Sequence, residues 1–300
     1  MKSLCQIAGS AILVLAMLAP FSCNSGEKEN INNESNLRII TYNVWYGFTQ
    51  VPERKDAWIQ WMKEQKPDIV SLQELNEYTP ELLEKDARSY GHSYSVLLKE
   101  EGFPTGITSR YPIEDVQRIT DGFHHGLIRV RIRNIYYYVI HLHPSNWEIR
   151  KGEIRKIIED IEKLPDNSKL ILAGDFNTFS PLDSGFYSHG RLEVFFNERD
   201  SLYKELNLNN GKLDYSVIQE LMHAGFVDLE ASLRTDAYVF QGSFPTRIEK
   251  EGEHGDHRRL DYIFASKNLA DLVTYAEIIS SDTTLILSDH LPVIVNLRIK

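Results

Sequence analysis

Short apolar runs that favour β-strands recur along the whole chain, and polar residues stand at their ends. Six runs rich in Ile, Val, Leu and Tyr predict strands over 37–42, 69–72, 136–140, 169–173, 262–265 and 292–297. Because a strand delivers its last side chain to one edge of a sheet, polar residues from several strands can converge there. The pattern therefore predicts a sheet-based fold with a polar site at a sheet edge.

The polar residues at these strand ends combine carboxylates, amides and imidazoles. They are Asn43, Glu74, His141, Asp175, Asn177, Asp289 and His290. Carboxylate and amide oxygens are ligands for a hard divalent cation such as Mg²⁺ or Mn²⁺. Imidazoles beside such a cation suit proton transfer and the binding of negative charge that develops on a phosphate. The sequence therefore predicts a cation site with acid–base groups next to it.

Helical periodicity separates several of the predicted strands. Residues 147–164 place four isoleucines on one face, and Pro165 follows directly. Helices are also predicted over 56–66, 81–90 and 216–224, and weaker strands over 107–110 and 127–132. This mixture indicates an α/β fold. Residues 182–215 have no clear periodicity, which leaves open whether they form a substrate-shaping insertion or irregular surface.

Each polar motif also has an ordinary structural interpretation. Asn43 suits a turn at a strand end, and Glu74 suits a surface charge in a loop. One of His141 and His143 suits a buried, hydrogen-bonded histidine. His290 has the strongest local case for catalysis. Asp261 begins a predicted strand, and an aspartate there can orient an imidazole by accepting its N–H.

The N-terminus has the features of a targeting segment. Lys2 precedes an apolar core over 11–19 that is too short to span a bilayer. Residues 1–22 are predicted to be a signal peptide and 23–35 a flexible tether lipidated at Cys23, before a domain over 36–300. A plain secretory signal cleaved nearby is the alternative. The only other cysteine lies inside the signal, so the mature chain has neither a disulfide nor a thiolate zinc site.

Length and charge narrow the class of protein. The 300 residues carry a formal net charge of −10, and no linker divides the motifs. One large domain is therefore expected. An acidic balance argues against a protein that binds nucleic acid through a basic surface. The acidic balance does not exclude a nuclease that uses a bound cation to offset phosphate charge.

Taken together, the motifs resemble those of the endonuclease/exonuclease/phosphatase superfamily, typified by deoxyribonuclease I. The segments that carry the resemblance are ITYNVW, IVSLQE, VIHLH, LAGDFN, RRLDYIFAS and SDHLPV. They follow the family's order and span nearly all of the chain after the signal. The resemblance implies an α/β fold that is a four-layered α/β sandwich, with two mainly antiparallel sheets packed together and helices outside.

The resemblance also implies roles in a site for Mg²⁺ or Mn²⁺. Glu74 resembles the principal metal ligand, with Asn43 assisting and Asp289 as a further ligand. Asp175 and Asn177 would position and activate the attacking water.

The remaining implied roles belong to the imidazoles. His290, held by Asp261, would contact the scissile phosphate and stabilise charge or supply a proton. His141 would bind a phosphate oxygen or act as general acid, with His143 as the alternative. Glu100 or Glu101 is the candidate partner of His141.

The function implied is hydrolysis of a phosphodiester by in-line water attack. The substrate class stays open among nucleic acid, a phospholipid headgroup and a small phosphoester. Two alternatives are phosphomonoester hydrolysis and a binding lipoprotein that lost catalysis. The lipid anchor predicts attachment to a bacterial membrane, periplasmic or at the cell surface, through the lipid alone. A monomer is expected.

Overall fold

The computed structural model describes residues 35–250 and 253–299. The predicted signal peptide, Cys23 and the predicted tether up to residue 34 lie outside these ranges. Within them, no helix is long and apolar enough to cross a membrane.

Most strands of the described residues belong to two six-stranded sheets, and one short hairpin stands apart. In chain order the strands are β1 (Ser35–Asn43), β2 (Ile69–Gln73), β3 (Tyr94–Leu97), β4 (Gly106–Ser109), β5 (Glu114–Ile119), β6 (Leu127–Ile132), β7 (Ile135–His141), β8 (Lys169–Asp175), β9 (Leu208–Asn209), β10 (Lys212–Leu213), β11 (Phe226–Asp228), β12 (Asp261–Ser266), β13 (Val273–Ile278) and β14 (Val293–Ile299). The first sheet has the order β13-β14-β1-β2-β4-β3, and the second has the order β11-β12-β8-β7-β6-β5.

Each sheet is antiparallel except for one parallel pair near its centre. These pairs are β1–β2 in the first sheet and β7–β8 in the second. The strands of the two inner faces, among them Ile39 and Val295 from one sheet and Val139 and Ile263 from the other, form one buried apolar core. Burial of these aliphatic side chains is the main force that holds the two sheets together.

Helices cover the outer face of each sheet. The α-helices of the described residues are α1 (Lys55–Gln65), α2 (Pro80–Ser89), α3 (Trp147–Ile161), α4 (Arg191–Tyr203), α5 (Ser216–His223), α6 (Leu229–Ser232) and α7 (Lys267–Ala270). Apolar side chains of α1 and α2 pack on the first sheet, and those of α3 and α5 pack on the second. The predicted four-layered α/β sandwich is confirmed.

The region without clear periodicity is an ordered segment. Residues 181–187 form a 3-10 helix, which α4 and the β9–β10 hairpin follow. Phe179, Tyr187, Leu192 and Phe196 form a separate apolar cluster with the hairpin. This segment thus has a small apolar core of its own, and whether it shapes a substrate site stays open.

Candidate active site

Three neighbouring strands of the second sheet end at the same level. The parallel register of β7 and β8 pairs His141 with Asp175, and the antiparallel register of β8 and β12 pairs Asp175 with Asp261. The last residue of β7, the last residue of β8 and the first residue of β12 therefore lie side by side. All three side chains are buried.

Gly174 permits this arrangement. A Cβ atom at this position would lie 1.9 Å from the backbone oxygen of Ile140 on β7. Only glycine fits between the two strands, so the residue before Asp175 brings β8 against β7 at the level of the site.

Asn43 connects the first sheet to the three adjacent side chains His141, Asp175 and Asp261. Its side-chain Nδ2 donates to Glu74 Oε1 and to Asp175 Oδ2, each at 3.1 Å. Its Oδ1 accepts the backbone N–H of Trp45 at 3.1 Å. The buried amide of Asn43 therefore places the carboxylates of Glu74 and Asp175 on either side of one side chain.

Glu74 and Asn177 take an unusual backbone conformation at the two strand ends. Glu74 has φ 58° and Asn177 has φ 50°, in the left-handed region that a residue with a side chain rarely adopts. Glu74 Oε2 accepts the N–H of Tyr46 at 3.0 Å, and Asn177 Nδ2 donates to the carbonyl of Leu142 at 3.0 Å. Backbone strain of this kind concentrates at functional sites, where surrounding contacts hold it.

His290 enters the site from the turn before β14. Its Nδ1 lies 2.7 Å from Asp261 Oδ2, and its Nε2 lies 3.8 Å from Asp175 Oδ2. Burial lowers the pKa of His290, but Asp261, Asp289 and Asp175 outweigh it and raise the pKa well above the ordinary histidine value. The imidazole is therefore held as a cation among carboxylates.

His141 flanks Asp175 from the opposite direction and has the opposite charge preference. Its Nε2 lies 3.7 Å from Asp175 Oδ2. Burial, together with repulsion from His125 and His290, holds the pKa of His141 well below the ordinary value. Asp175 thus lies between a neutral imidazole and a cationic one.

The protein groups around the carboxylates of the site supply too little positive charge to neutralise them. Burial raises the pKa of Asp175 to about 7. The negative charges of Asp261 and Glu74 raise this pKa further, whereas His290 and the Asn177 N–H lower it. Burial also raises the pKa of Asp289 well above the usual carboxyl range, with Glu74 contributing. The site therefore favours an added cation.

One group of potential metal ligands stands out among the described residues. Asp175, Asp261 and His290 each offer an atom within 4.8 Å of the other two. Asp261 and His290 already share a hydrogen bond, so they act as a pair rather than as two free ligands. Asn43 and Glu74 lie beside the remaining carboxylate, Asp175, and Asp289 lies near Glu74 and His290.

Two serine residues, to which the sequence analysis assigned no role, fix the strand ends. Ser288 Oγ donates to the carbonyl of Asn43 at 2.7 Å, which attaches the turn of His290 to the end of β1. Ser243 Oγ accepts the N–H groups of Leu260 and Asp261 at 3.0 and 3.1 Å. The serine of the SDH triplet was the only sequence signal for these contacts.

The surroundings of His141 differ from the sequence expectation. Its ring stacks on His125 with a centroid separation of 4.0 Å and an interplanar angle of 14°. The structure therefore gives His141 an imidazole neighbour instead of Glu100 or Glu101. His143, the alternative to His141, accepts the N–H of Ser145 on Nδ1 and lies beside His124 rather than at Asp175.

The geometry agrees with a comparison of the whole sequence. The sequence model of the endonuclease/exonuclease/phosphatase family matches residues 40–290, which include every residue of the candidate site. The chain belongs to this family. Membership confirms the resemblance that the motifs carry, and with it the class of enzyme: a hydrolase of phosphoester bonds.

Solved structures of low sequence identity share the fold of this family member. An AP endonuclease from Archaeoglobus fulgidus is 21% identical with a TM-score of 0.64, over 86% of this chain and 98% of that one. A 3′ phosphatase from Neisseria bound to product DNA is 16% identical with a TM-score of 0.64, over 87% and 99%. A humanized D. rerio TDP2 is 20% identical with a TM-score of 0.60, over 87% and 98%. No curated protein sequence matches the chain significantly.

Proposed function

We propose that this family member hydrolyses a phosphodiester by in-line attack of water, with a divalent cation, outside the cytoplasm of a bacterium. The observation that carries the proposal is the position of Asp175, whose Oδ2 lies 3.7 Å from His141 Nε2 and 3.8 Å from His290 Nε2. A single carboxylate between two imidazoles suits proton transfer to and from a phosphate group bound among them.

The residues present fit a hard divalent cation. The site is rich in oxygen donors, and its carboxylates have raised pKa values because they are buried together. Glu74, Asn43 and Asp289 would hold the cation, which we take to be Mg²⁺ or Mn²⁺. When bound, it would offset phosphate charge and polarise a phosphoryl oxygen.

The side chains divide the remaining work. Asp175 would accept a proton from the attacking water, since a base with a pKa near 7 is matched to neutral pH. Asn177 would help to position that water, because its N–H already holds Asp175 Oδ1 at 2.9 Å. His290, oriented by Asp261, would stabilise negative charge on the phosphate as a cation or donate a proton.

His141 would complete the binding of the phosphate group. It is neutral, so one ring nitrogen can donate a hydrogen bond to a phosphate oxygen without adding charge. All these groups come from one chain, and we expect a monomer to be active.

A panel of phosphoesters tests the proposal. Nucleic acid, phospholipid and small mono- and diester substrates are assayed with Mg²⁺, with Mn²⁺ and after chelation. We expect cleavage of at least one diester that chelation abolishes and added metal restores. Activity that survives thorough chelation would exclude the metal mechanism. Cleavage of monoesters alone would favour the phosphatase alternative, and inactivity on the whole panel would favour a binding lipoprotein.

The proposed location rests on the sequence before residue 35. Signal-like residues 1–22 precede Cys23, whose thiol would carry the lipid. Cys23→Ala should move the protein from the membrane fraction to the soluble fraction, while Cys5→Ala is the matched control. A Cys23→Ala protein that stays with the membrane would contradict lipid anchoring and favour another mode of attachment.

A further inference from the structure

Helix α3 carries two buried charged residues on its apolar face. Arg150 and Glu153 are 2% and 1% exposed, and they lie on the same face as Ile154 and Ile157. Burial of a charge is costly unless hydrogen bonds compensate it. Neither residue forms an ion pair within 4 Å among the described residues, although their opposite charges attract each other at longer range.

Both side chains bond to the backbone of the loops around His141. Glu153 Oε1 accepts the N–H of His124 at 2.7 Å, and Glu153 Oε2 accepts the N–H of His143 at 2.9 Å. Arg150 Nη1 donates to the carbonyls of His143 and Pro144 at 3.0 and 3.2 Å. One carboxylate therefore joins the loop that precedes β6 to the loop that follows β7.

The two loops carry the rings that pack on His141. His125 follows His124 directly and stacks on His141 at 4.0 Å. His124 in turn lies 4.4 Å from His125 and 4.2 Å from His143, measured between ring centroids. The four rings thus form a continuous set, the imidazole cluster, that runs from His143 through His124 and His125 to His141 beside Asp175.

No hydrogen bond fixes the inner pair of this cluster. His141 Nδ1 and His125 Nε2 are buried and have no hydrogen-bond partner among the described residues. Their orientation depends on ring packing, and ring packing depends on where the two loops lie. A small displacement of either loop would therefore move His141 relative to Asp175.

We propose that Glu153 is a positioning residue for His141, acting through the backbone amides of His124 and His143 and the stacked ring of His125. Arg150 supports it by fixing the carbonyl groups of the same loop. Glu153 itself forms no hydrogen bond with His141, Asp175 or Asp261 among the described residues. This inference rests on the proposed function, in which His141 binds the phosphate group.

Steady-state kinetics of the full-length protein test the inference, with Mg²⁺ and a diester that the substrate panel shows to be hydrolysed. Glu153→Leu removes both acceptor oxygens, and we expect kcat to fall about 10- to 100-fold, since small misplacements of catalytic groups cost that much. KM should rise as well, because His141 binds the phosphate group in the proposed function. Glu153→Gln keeps one acceptor oxygen and should retain an intermediate kcat. Glu159→Leu, the same change at an exposed position of α3, should match the wild type.

A double variant separates positioning from general damage. If Glu153 acts through His141, Glu153→Leu should have no further effect on kcat in a His141→Ala background. Losses that multiply in the double variant would overturn the proposal, because Glu153 would then act independently of His141.

An imidazole NMR spectrum gives a readout that does not need activity. Stacking of His125 and His141 should shift their ring C–H signals through ring currents. Glu153→Leu should move these signals and Glu159→Leu should not; if Glu153→Leu fails to fold, Glu153→Gln should show the smaller shift. Unchanged His141 signals in the folded Glu153 variants would refute positioning. A wild type without phosphoesterase activity would refute the proposed function while this spectrum still decides the role of Glu153.

Discussion

Asp261 and His290 come from different sheets, and their side chains meet with Asp261 Oδ2 2.7 Å from His290 Nδ1. Asp261 begins β12 of the second sheet, whereas His290 lies just before β14 of the first. The hydrogen bond therefore spans the sandwich at the edge where the site lies. It also determines which ring nitrogen of His290 faces Asp175, since Nδ1 is occupied.

His290→Ala should lower kcat far more than it raises KM, because the lost group acts as charge forms on the phosphate. A loss of about 10²–10⁴-fold is expected for a group of this kind. Asp261→Asn should cost less, since it disturbs the orientation of the imidazole without deleting it. Steady-state kinetics measure both, and urea unfolding checks that each variant is folded. A larger loss in Asp261→Asn than in His290→Ala would contradict these roles.

Asp175→Asn should separate activity from stability. The carboxylate is 1% exposed, and its pKa of about 7 reflects the cost of burying its charge. The amide should therefore leave the metal-free Tm equal to or above that of the wild type, while kcat falls about 10²-fold or more. Calorimetry and kinetics on the same preparation measure the two effects. Unchanged turnover in folded Asp175→Asn would remove Asp175 from the mechanism.

Two glycines should respond in opposite ways to the same substitution. Gly174→Ala places a methyl group against the backbone oxygen of Ile140, which cannot move aside as a side chain can. Overpacking typically costs about 1–3 kcal/mol, and a backbone clash belongs at the upper end or beyond. Gly152→Ala adds a methyl group inside α3 with no neighbour within 4 Å. It should raise the free energy of unfolding by about 0.5–1 kcal/mol.

Denaturant unfolding of both glycine variants measures the difference. Gly174→Ala should also lose activity beyond its loss of stability, because Asp175 follows directly. Equal stability of the two variants would mean that β7 and β8 separate easily at this level.

His92 should make the protein sensitive to mild acid. Its Nε2 lies 2.9 Å from the carbonyl of Pro67 and its Nδ1 2.8 Å from Thr108 Oγ1, and burial lowers its pKa to about 4. Since the unfolded chain takes up this proton near pH 6.5, the stabilisation is complete above that pH and is lost as pH falls towards 4. The shift corresponds to roughly 3 kcal/mol.

Comparison of variants isolates this effect from that of the other histidines. Between pH 7 and pH 4, the wild type should lose more unfolding free energy than His92→Gln does. The exposed His223 provides the control, and His223→Gln should follow the wild type. Parallel losses in wild type and His92→Gln would assign the acid sensitivity to other groups.

The central strands could be predicted from the sequence, and the edge strands could not. The strands β1, β2, β7, β8, β12 and β14 are buried over most of their length, so each is rich in apolar residues. The edge strands β5 and β13 contain mostly exposed or half-buried residues, and EDVQRI and VTYAEI look like loop or surface. The β-propensity of the residues alone does not identify such segments, because pairing with a neighbouring strand decides whether they form a strand.

The same distinction applies to the site. Residues at the ends of apolar strands, such as Asn43 and Asp175, could be predicted because strand geometry fixes where their side chains go. His125 lies in a loop, and only the tertiary structure brings its ring into contact with that of His141. Arg150 and Glu153 did leave a signal: they share the spacing of Ile154 and Ile157, which places charges on the buried face of a helix. That signal indicates burial but not which backbone groups the charges meet.

The bond from Ser288 to the carbonyl of Asn43 joins positions 245 residues apart. During translation the first of these residues emerges long before the second. Until β14 is made, one edge of β1 has no partner and Asp261 has no imidazole beside it. The nascent chain therefore cannot assemble a working site, whatever part of the domain has already folded. A product truncated before residue 288 would be inert, so the protein cannot cleave phosphoesters where it is synthesised until residues 288–290 have been added.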